Sequence, residues 1–370
     1  MIGLHHGFGN LVMVCWMNWM ESAQAKGTFA KGTFCFPAAY LLSERPISED
    51  NKMKALLRPR NAYRLGIPYR LGIACAALLA GSLVAPQARA EEITKSYTIA
   101  GRANVHVETN DGSVRITSGD SKQVEFRVEY QGYELGRNLT VDSRQDGDKV
   151  ELIARITGHW GINLGWGHNS RSLHIEVRMP QQGDLQVHTG DGAVEAAGLS
   201  GNLAIDTHDG AVKASALSGA VDLHTGDGSI TVDTLKGDIR LRTGDGGIEA
   251  RDLDGKVEAD SGDGHVRIAG RFEALNVKTG DGSVNTQVLP GSKMAGSWTL
   301  RTGDGSVDIS LPSDFQANID ATTGDGHISL GLPVTVEGTF SKSEVRGKMN
   351  GGGQTLTIHT GDGSIRLTKS

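Results

Sequence analysis

Apolar and polar residues alternate in short runs along most of this chain, and between Leu185 and Thr286 the alternation returns every 18 residues. In each copy two apolar residues, two places apart, lead into a tetrapeptide of the Thr-Gly-Asp-Gly type. The pairs are Leu185 and Val187, Leu203 and Ile205, Val221 and Leu223, Ile239 and Leu241, Val257 and Ala259, Leu275 and Val277. Period-two alternation predicts strands with one buried face. After the tetrapeptide it resumes, as in Val212 and Ala214 or Ile230 and Val232, and then Leu199, Leu217, Leu235 and Leu253 precede Gly201, Gly219, Gly237 and Gly255. Each copy thus reads as strand, Gly-Asp-Gly turn, strand, Leu-x-Gly turn.

A lone hairpin of such short strands is not stable in water. Stacking the copies in register places equivalent apolar residues over one another in continuous inner columns. The pattern therefore predicts an all-β fold. It is a single, narrow parallel β-solenoid (β-helix) with 18-residue coils about 4.8 Å apart and irregular first and last coils. The outward residues agree. Up one column run His188, Asp206, His224, Arg242, Asp260 and Lys278, mostly of opposite or neutral charge from one coil to the next. Such neighbours are stabilising where like charges would not be.

The ends depart from the period. Asn104–Glu108 followed by Asn110-Asp-Gly-Ser-Val114 is one more coil, and Val124–Tyr130, Leu139–Val141, Val150–Ile156 and Leu173–Met179 read as strands. The Gly-rich stretch Gly158–Ser172 reads as a loop or cap. Beyond Asp281 the tetrapeptide returns at Thr302, Thr323 and Thr360, with Leu289–Gly296 and Pro333–Gly353 as loops or a slightly wider coil. Residues 91–370 thus form one domain: irregular coils over 91–182, regular repeats over 183–286 and irregular coils over 287–370.

Residues 1–90 have a different character. Arg58, Arg60, Arg64 and Arg70 precede an apolar run from Leu71 to Val84, and Ala88-Arg89-Ala90 follows. Together these make a secretory signal cleaved after Ala90, with residues 53–90 as the signal peptide. The run is too short to span a membrane. Met53 opens a signal of ordinary length, so residues 1–52 are expected to precede the true start site. Cys15, Cys35 and Cys75 all lie upstream of Ala90, which leaves the exported chain no disulfide framework and no thiol chemistry. Gly72-Ile-Ala-Cys75 lacks the leucine of a lipid-attachment motif. Of 37 basic and 43 acidic residues, 10 and 4 lie in the first 90, so the exported part carries 27 against 39. That surface excludes nucleic acid and other polyanions as partners.

The early Asn-Asp-Gly-Ser-Val coil, the strand Leu173–Met179 before Pro180, the Thr-Gly-Asp-Gly repeats and the closing Thr360-Gly-Asp-Gly-Ser-Ile365 resemble an uncharacterised bacterial β-strand-repeat family, a domain of unknown function often labelled a candidate adhesin. The resemblance implies a parallel β-solenoid and an envelope or extracellular setting, either periplasm or cell surface. It brings no catalytic residues.

The chemical candidates are few. Asp191, Asp209, Asp227, Asp245, Asp263 and Asp281 form a file in which calcium would bridge neighbours. The favoured reading is structural: each carboxylate accepts N–H bonds of its own turn, and Gly192, Gly210, Gly228, Gly246, Gly264 and Gly282 supply positive φ. Trp160 and Trp166 are candidate glycan contacts or a cap. The reading is a non-enzymatic envelope protein, adhesin-like or a scaffold, offering a flat repeat surface to a protein or glycan, with no cofactor. The alternatives are a polysaccharide-acting β-helix enzyme and a calcium-stabilised β-roll.

Overall fold

The computed structural model describes residues 90–119, 122–158 and 171–370, which belong to one compact unit, residues 82–370. The leader, the start-site question, the three cysteines, Trp160 and Trp166 lie outside the described residues.

Every regular element among the described residues is a strand. The first seven are β1 (Glu91–Thr98), β2 (Ala103–Thr109), β3 (Ser113–Gly119), β4 (Gln123–Gln131), β5 (Leu139–Asp146), β6 (Lys149–Ile156) and β7 (Ser172–Pro180). The regular repeats give β8 (Gly183–Thr189), β9 (Val194–Ala197), β10 (Ser200–Thr207), β11 (Val212–Thr225), β12 (Ile230–Thr243), β13 (Ile248–Ser261), β14 (Val266–Thr279) and β15 (Val284–Val288). The last group is β16 (Trp298–Thr302), β17 (Val307–Leu311), β18 (Ala317–Thr323), β19 (Ile328–Leu330), β20 (Thr335–Phe340), β21 (Glu344–Met349), β22 (Thr355–Thr360) and β23 (Ile365–Lys369).

Pairing is largely parallel. Leu185 lies beside Leu203, Leu203 beside Val221, Val221 beside Ile239 and Ile239 beside Val257. A second ladder sets Val114, Val194, Val212, Ile230, Ile248 and Val266 side by side. The inward residues of both ladders fill one shared core, and the outward ones face solvent. This is the burial that period-two alternation demands.

The Leu-x-Gly corner is not a loop. β11, β12 and β13 run through it with their pairing kept on both sides, while Leu217, Leu235 and Leu253 plug it from inside. The bend is made by Ala216, Thr234 and Asp252, with φ of 51°, 59° and 51°, and Gly198 takes the same place one coil earlier at 73°. A β-branched residue is strained there. Thr234→Gly should therefore raise stability by about 1 kcal/mol, read as a higher midpoint in a chemical unfolding curve.

At both ends the spatial order of coils differs from the chain order. The coil β2–β3 lies between β6–β7 and β8–β9, because β2 pairs with β6 and β8 and β3 with β7 and β9. At the other end β22–β23 lies between β16–β17 and β18–β19. Antiparallel strands close the stack, with β5 on β6, β4 on β7, β1 on β4, β21 on β18 and β20 on β21. Pro333–Gly353, expected to be a loop or part of a wider coil, holds two of these capping strands. An open parallel edge would template further pairing, and covering it blocks that.

Large aromatic side chains cluster in the core where the regular repeats give way to the C-terminal coils. There Phe272 takes the place held by Gly255 one coil earlier. Its ring meets Trp298 edge-on at 6.0 Å, and Trp298 lies 5.2 Å from Phe315. Trp298 is wholly buried.

Candidate binding face

The Thr-Gly-Asp-Gly corners follow one another coil by coil. The amide of Gly262 donates to the Gly244 carbonyl at 2.6 Å, and those of Gly280, Gly303 and Gly361 repeat the contact at 2.5, 2.6 and 2.6 Å. Asp191, Asp209, Asp227, Asp245, Asp263 and Asp281 are exposed along this edge, one per coil.

Two expectations about the corner are corrected. The aspartate carboxylates do not bind their own turns; among the described residues the contact they make is that of Asp209 with the neighbouring His208 ring, at 3.5 Å. The buried threonine before them does that work instead. Thr243 Oγ1 donates to the Gly228 carbonyl of the coil below at 2.8 Å and accepts from its own Gly246 amide at 3.2 Å. Thr225, Ser261, Thr302 and Thr360 repeat the arrangement. A carboxylate is better solvated outside, whereas a hydroxyl can donate and accept in a dry corner.

The second correction concerns the glycines. None of Gly192, Gly210, Gly228, Gly246, Gly264 and Gly282 has positive φ. They are needed because the coils touch. A Cβ on Gly246 would sit 1.9 Å from the Gly228 carbonyl oxygen, and on Gly192 1.8 Å from that of Gly112. The first glycine of the tetrapeptide is less constrained, since His208 occupies that place in one coil.

Thr189 is the exception in the ladder, a fully buried hydroxyl with no partner. Thr189→Val should leave stability unchanged or raise it, while Thr243→Val should lose about 1–3 kcal/mol by stranding two buried backbone groups. Parallel urea titrations of the two variants distinguish these outcomes.

Chemistry gathers on the outer face of the first ladder. A shallow groove of about 940 Å³ runs across it from Asn104 to Ser297, its floor lowered at Ala204, Ala220 and Ala274 and its lining set by Gln186, Asn202, Asp222, Arg240, Glu258 and Asn276. Gln186, Asp222, Arg240, Glu258 and Asn276 occupy one outward column, whose member in the second coil is Ala204, while Asn202 shares the neighbouring column with Ala220 and Ala274. The repeat columns contain them, but that small residues beside them open a trough is not visible in the alternation.

The groove is lined by matched charges. Arg240 Nε lies 3.0 Å from Glu258 and Arg242 2.9 Å from Asp222. Asp184 takes a bidentate hydrogen bond from Arg102, which outweighs its partial burial and holds its carboxyl below the usual range. Away from the groove, at the Leu-x-Gly corner, Asp254 is held down in the same way, first by Arg271 and then by Lys236. Beside the groove, Asp206 sits between His188 at 3.5 Å and His224 at 3.4 Å. Among the described residues no group of histidine, cysteine and carboxylate side chains converges on a point where a metal would sit. No described helix is long and apolar enough to cross a membrane.

A family model described as Toastrack DUF4097 matches residues 102–368. Among solved structures, the chain is similar to a candidate cell adhesion protein from Clostridium sporogenes, with 15% identity over 76% of this chain and 100% of that one and a TM-score of 0.23. A candidate adhesin from Parabacteroides merdae shares 12% identity over 75% and 97% of the two chains, with a TM-score of 0.44. A candidate lipid binding protein from Parabacteroides distasonis shares 13% over 75% and 97%, with a TM-score of 0.37. No curated protein is similar enough to count as a relative.

Proposed function

Because the chain belongs to the Toastrack DUF4097 family, whose description carries no activity, we propose a function from the binding face itself. Residues 91–370 are a single parallel β-solenoid of 18-residue coils with irregular first and last coils, exported to the cell envelope behind the signal peptide at 53–90. The solenoid is not an enzyme. It holds a protein or glycan along its outer face, as an adhesin or scaffold.

The observation that carries this reading is the groove on the first ladder. It repeats amide, carboxylate and guanidinium groups at coil spacing over a trough of about 940 Å³. An extended, polar, repeating partner is what such a surface complements. Large apolar side chains exposed among the described residues are few, namely Leu135, Val336 and Phe340, and all lie away from it. Polar contacts therefore dominate the face.

The polysaccharide-acting alternative needs a carboxyl group whose pKa is raised so that it can act as an acid. Arginine holds the carboxyls of Glu92, Glu151, Asp184 and Asp254 below the usual range, the opposite of what an acid catalyst needs. Fixed ion pairs of this kind hold shape and recognise partners.

The test uses the purified exported chain to capture partners from envelope extract and to probe a glycan array, with and without a chelator. A protein or glycan should be retained. Ala204→Trp, which fills the exposed floor of the groove, should abolish retention while moving stability by no more than about 0.5 kcal/mol. Hydrolase or lyase activity lost on carboxylate substitution would replace this reading with the enzymatic one, and loss of retention in chelator would restore calcium.

A further inference from the structure

We propose that the C-terminal coil, Thr355–Ser370, is an exchangeable insert whose slot also accepts the same coil from a second copy of this chain, linking two copies at this end.

The inference starts from order. The chain lays down β16–β17, then β18–β19 and the capping strands β20 and β21, and only then returns as β22–β23 to lie between the first two coils. The slot is therefore defined by residues made before its occupant. Without the insert its two walls stand two coil spacings apart, about 9.6 Å, which no N–H···O=C bond can cross. Four strand edges are then left open, two on β16 and β17 and two on β18 and β19, and an open edge is a template for another strand.

The slot is also specific. Leu356, Ile358, Ile365 and Leu367 are fully buried in it. Thr360 Oγ1 donates to the Gly305 carbonyl on one wall at 2.7 Å, and Thr323 Oγ1 of the other wall donates to the Gly363 carbonyl of the insert at 2.7 Å. Gly363 is pressed against the Gly305 carbonyl, and Gly326 against that of Gly363. Only a segment with apolar residues two apart on each side of a Thr-Gly-Asp-Gly corner meets these demands, and a second copy supplies one of identical register.

The tether supports exchange. Asn350, Gly351 and Gly352 have φ of 49°, 89° and 83° and lead through Gly353 into β22. A run of glycines reaches alternative backbone conformations at low cost. The contacts made by the insert are the same whether it comes from its own chain or another, so only the hinge distinguishes the two closures, and that is the condition for swapping.

The experiment uses the full chain with Cys15, Cys35 and Cys75 replaced by serine. Thr299 and Thr357 face each other in register across the wall and the insert, within reach of a disulfide. A chain carrying both Thr299→Cys and Thr357→Cys should close internally under oxidised glutathione, confirming where the insert lies. Two chains carrying one substitution each, mixed at high concentration and oxidised, should give a disulfide-linked heterodimer that neither gives alone. Deleting Gly351 and Gly352 should increase it, because a shortened hinge disfavours closure within one chain. If the double variant closes internally while the mixture stays monomeric with either hinge, exchange is refuted. If the double variant does not close, the interposed position of the coil is itself wrong.

Discussion

Gly246→Ala should destabilise the exported chain by about 3 kcal/mol or more, near the upper end of what overpacking costs. The new methyl carbon would lie 1.9 Å from the Gly228 carbonyl oxygen, and that oxygen cannot retreat, because it accepts the Thr243 hydroxyl at 2.8 Å. Either the two coils part or the corner twists, and both break the threonine ladder. Gly244→Ala, two residues earlier, is the control. Its methyl carbon would lie 2.6 Å from the Gly226 carbonyl, at the place where His208 shows that a side chain is accommodated. It should cost about 1 kcal/mol. Urea unfolding followed by circular dichroism measures both, and equal losses would mean that close approach between coils is not why the glycine is there.

Trp298→Ala should cost about 3–5 kcal/mol, the range for emptying a large aromatic site in a core. Trp298 is the largest fully buried side chain among the described residues, wedged between Phe272 and Phe315. Its indole N–H also donates to the Glu273 carbonyl at 3.3 Å. The coils here are wider than 18 residues, since β14 pairs with β16 and β15 with β17 at a spacing of 23, and the tryptophan fills the room that the longer coil opens. Trp298→Phe should recover part of the loss. In the regular region Leu241→Ala should cost less than Trp298→Ala, because a smaller side chain leaves a smaller cavity. Thermal unfolding ranks the three.

The sequence revealed the strands and their inward residues because burial on one face imposes a period of two, and Leu203, Ile205, Val221 and Leu223 could satisfy it in one way only. It did not reveal the stacking order at the ends. The coil Thr355–Ser370 carries the same apolar-x-apolar-Thr-Gly-Asp-Gly pattern as its neighbours, so the pattern permits it to stack on any of them. Between it and its neighbour in sequence stand the cap strands β20 and β21, which pair with each other and, through β21, with β18 on the edge away from β22, leaving the inner edge of β18 to the last coil. The role of Gly246 is ambiguous in the sequence because glycine suits both positive φ and close approach, and sequence alone does not separate the two. The groove is invisible there for another reason. It is a property of a column, in which Ala204, Ala220 and Ala274 matter through what lies beside them.

Distances along the aspartate edge test the stacking most directly. Spin labels on cysteines replacing Asp191 and, in turn, Asp263, Asp281, Asp304, Asp362 or Asp325, in a chain otherwise free of cysteine, should give mean separations that rise by about 4.8 Å per coil. The separation to Asp362 should be about 34 Å and that to Asp325 about 38 Å, although Asp325 comes first in the chain. A separation to Asp325 shorter than that to Asp362, or no steady increment between coils, would contradict the stacked and interposed arrangement.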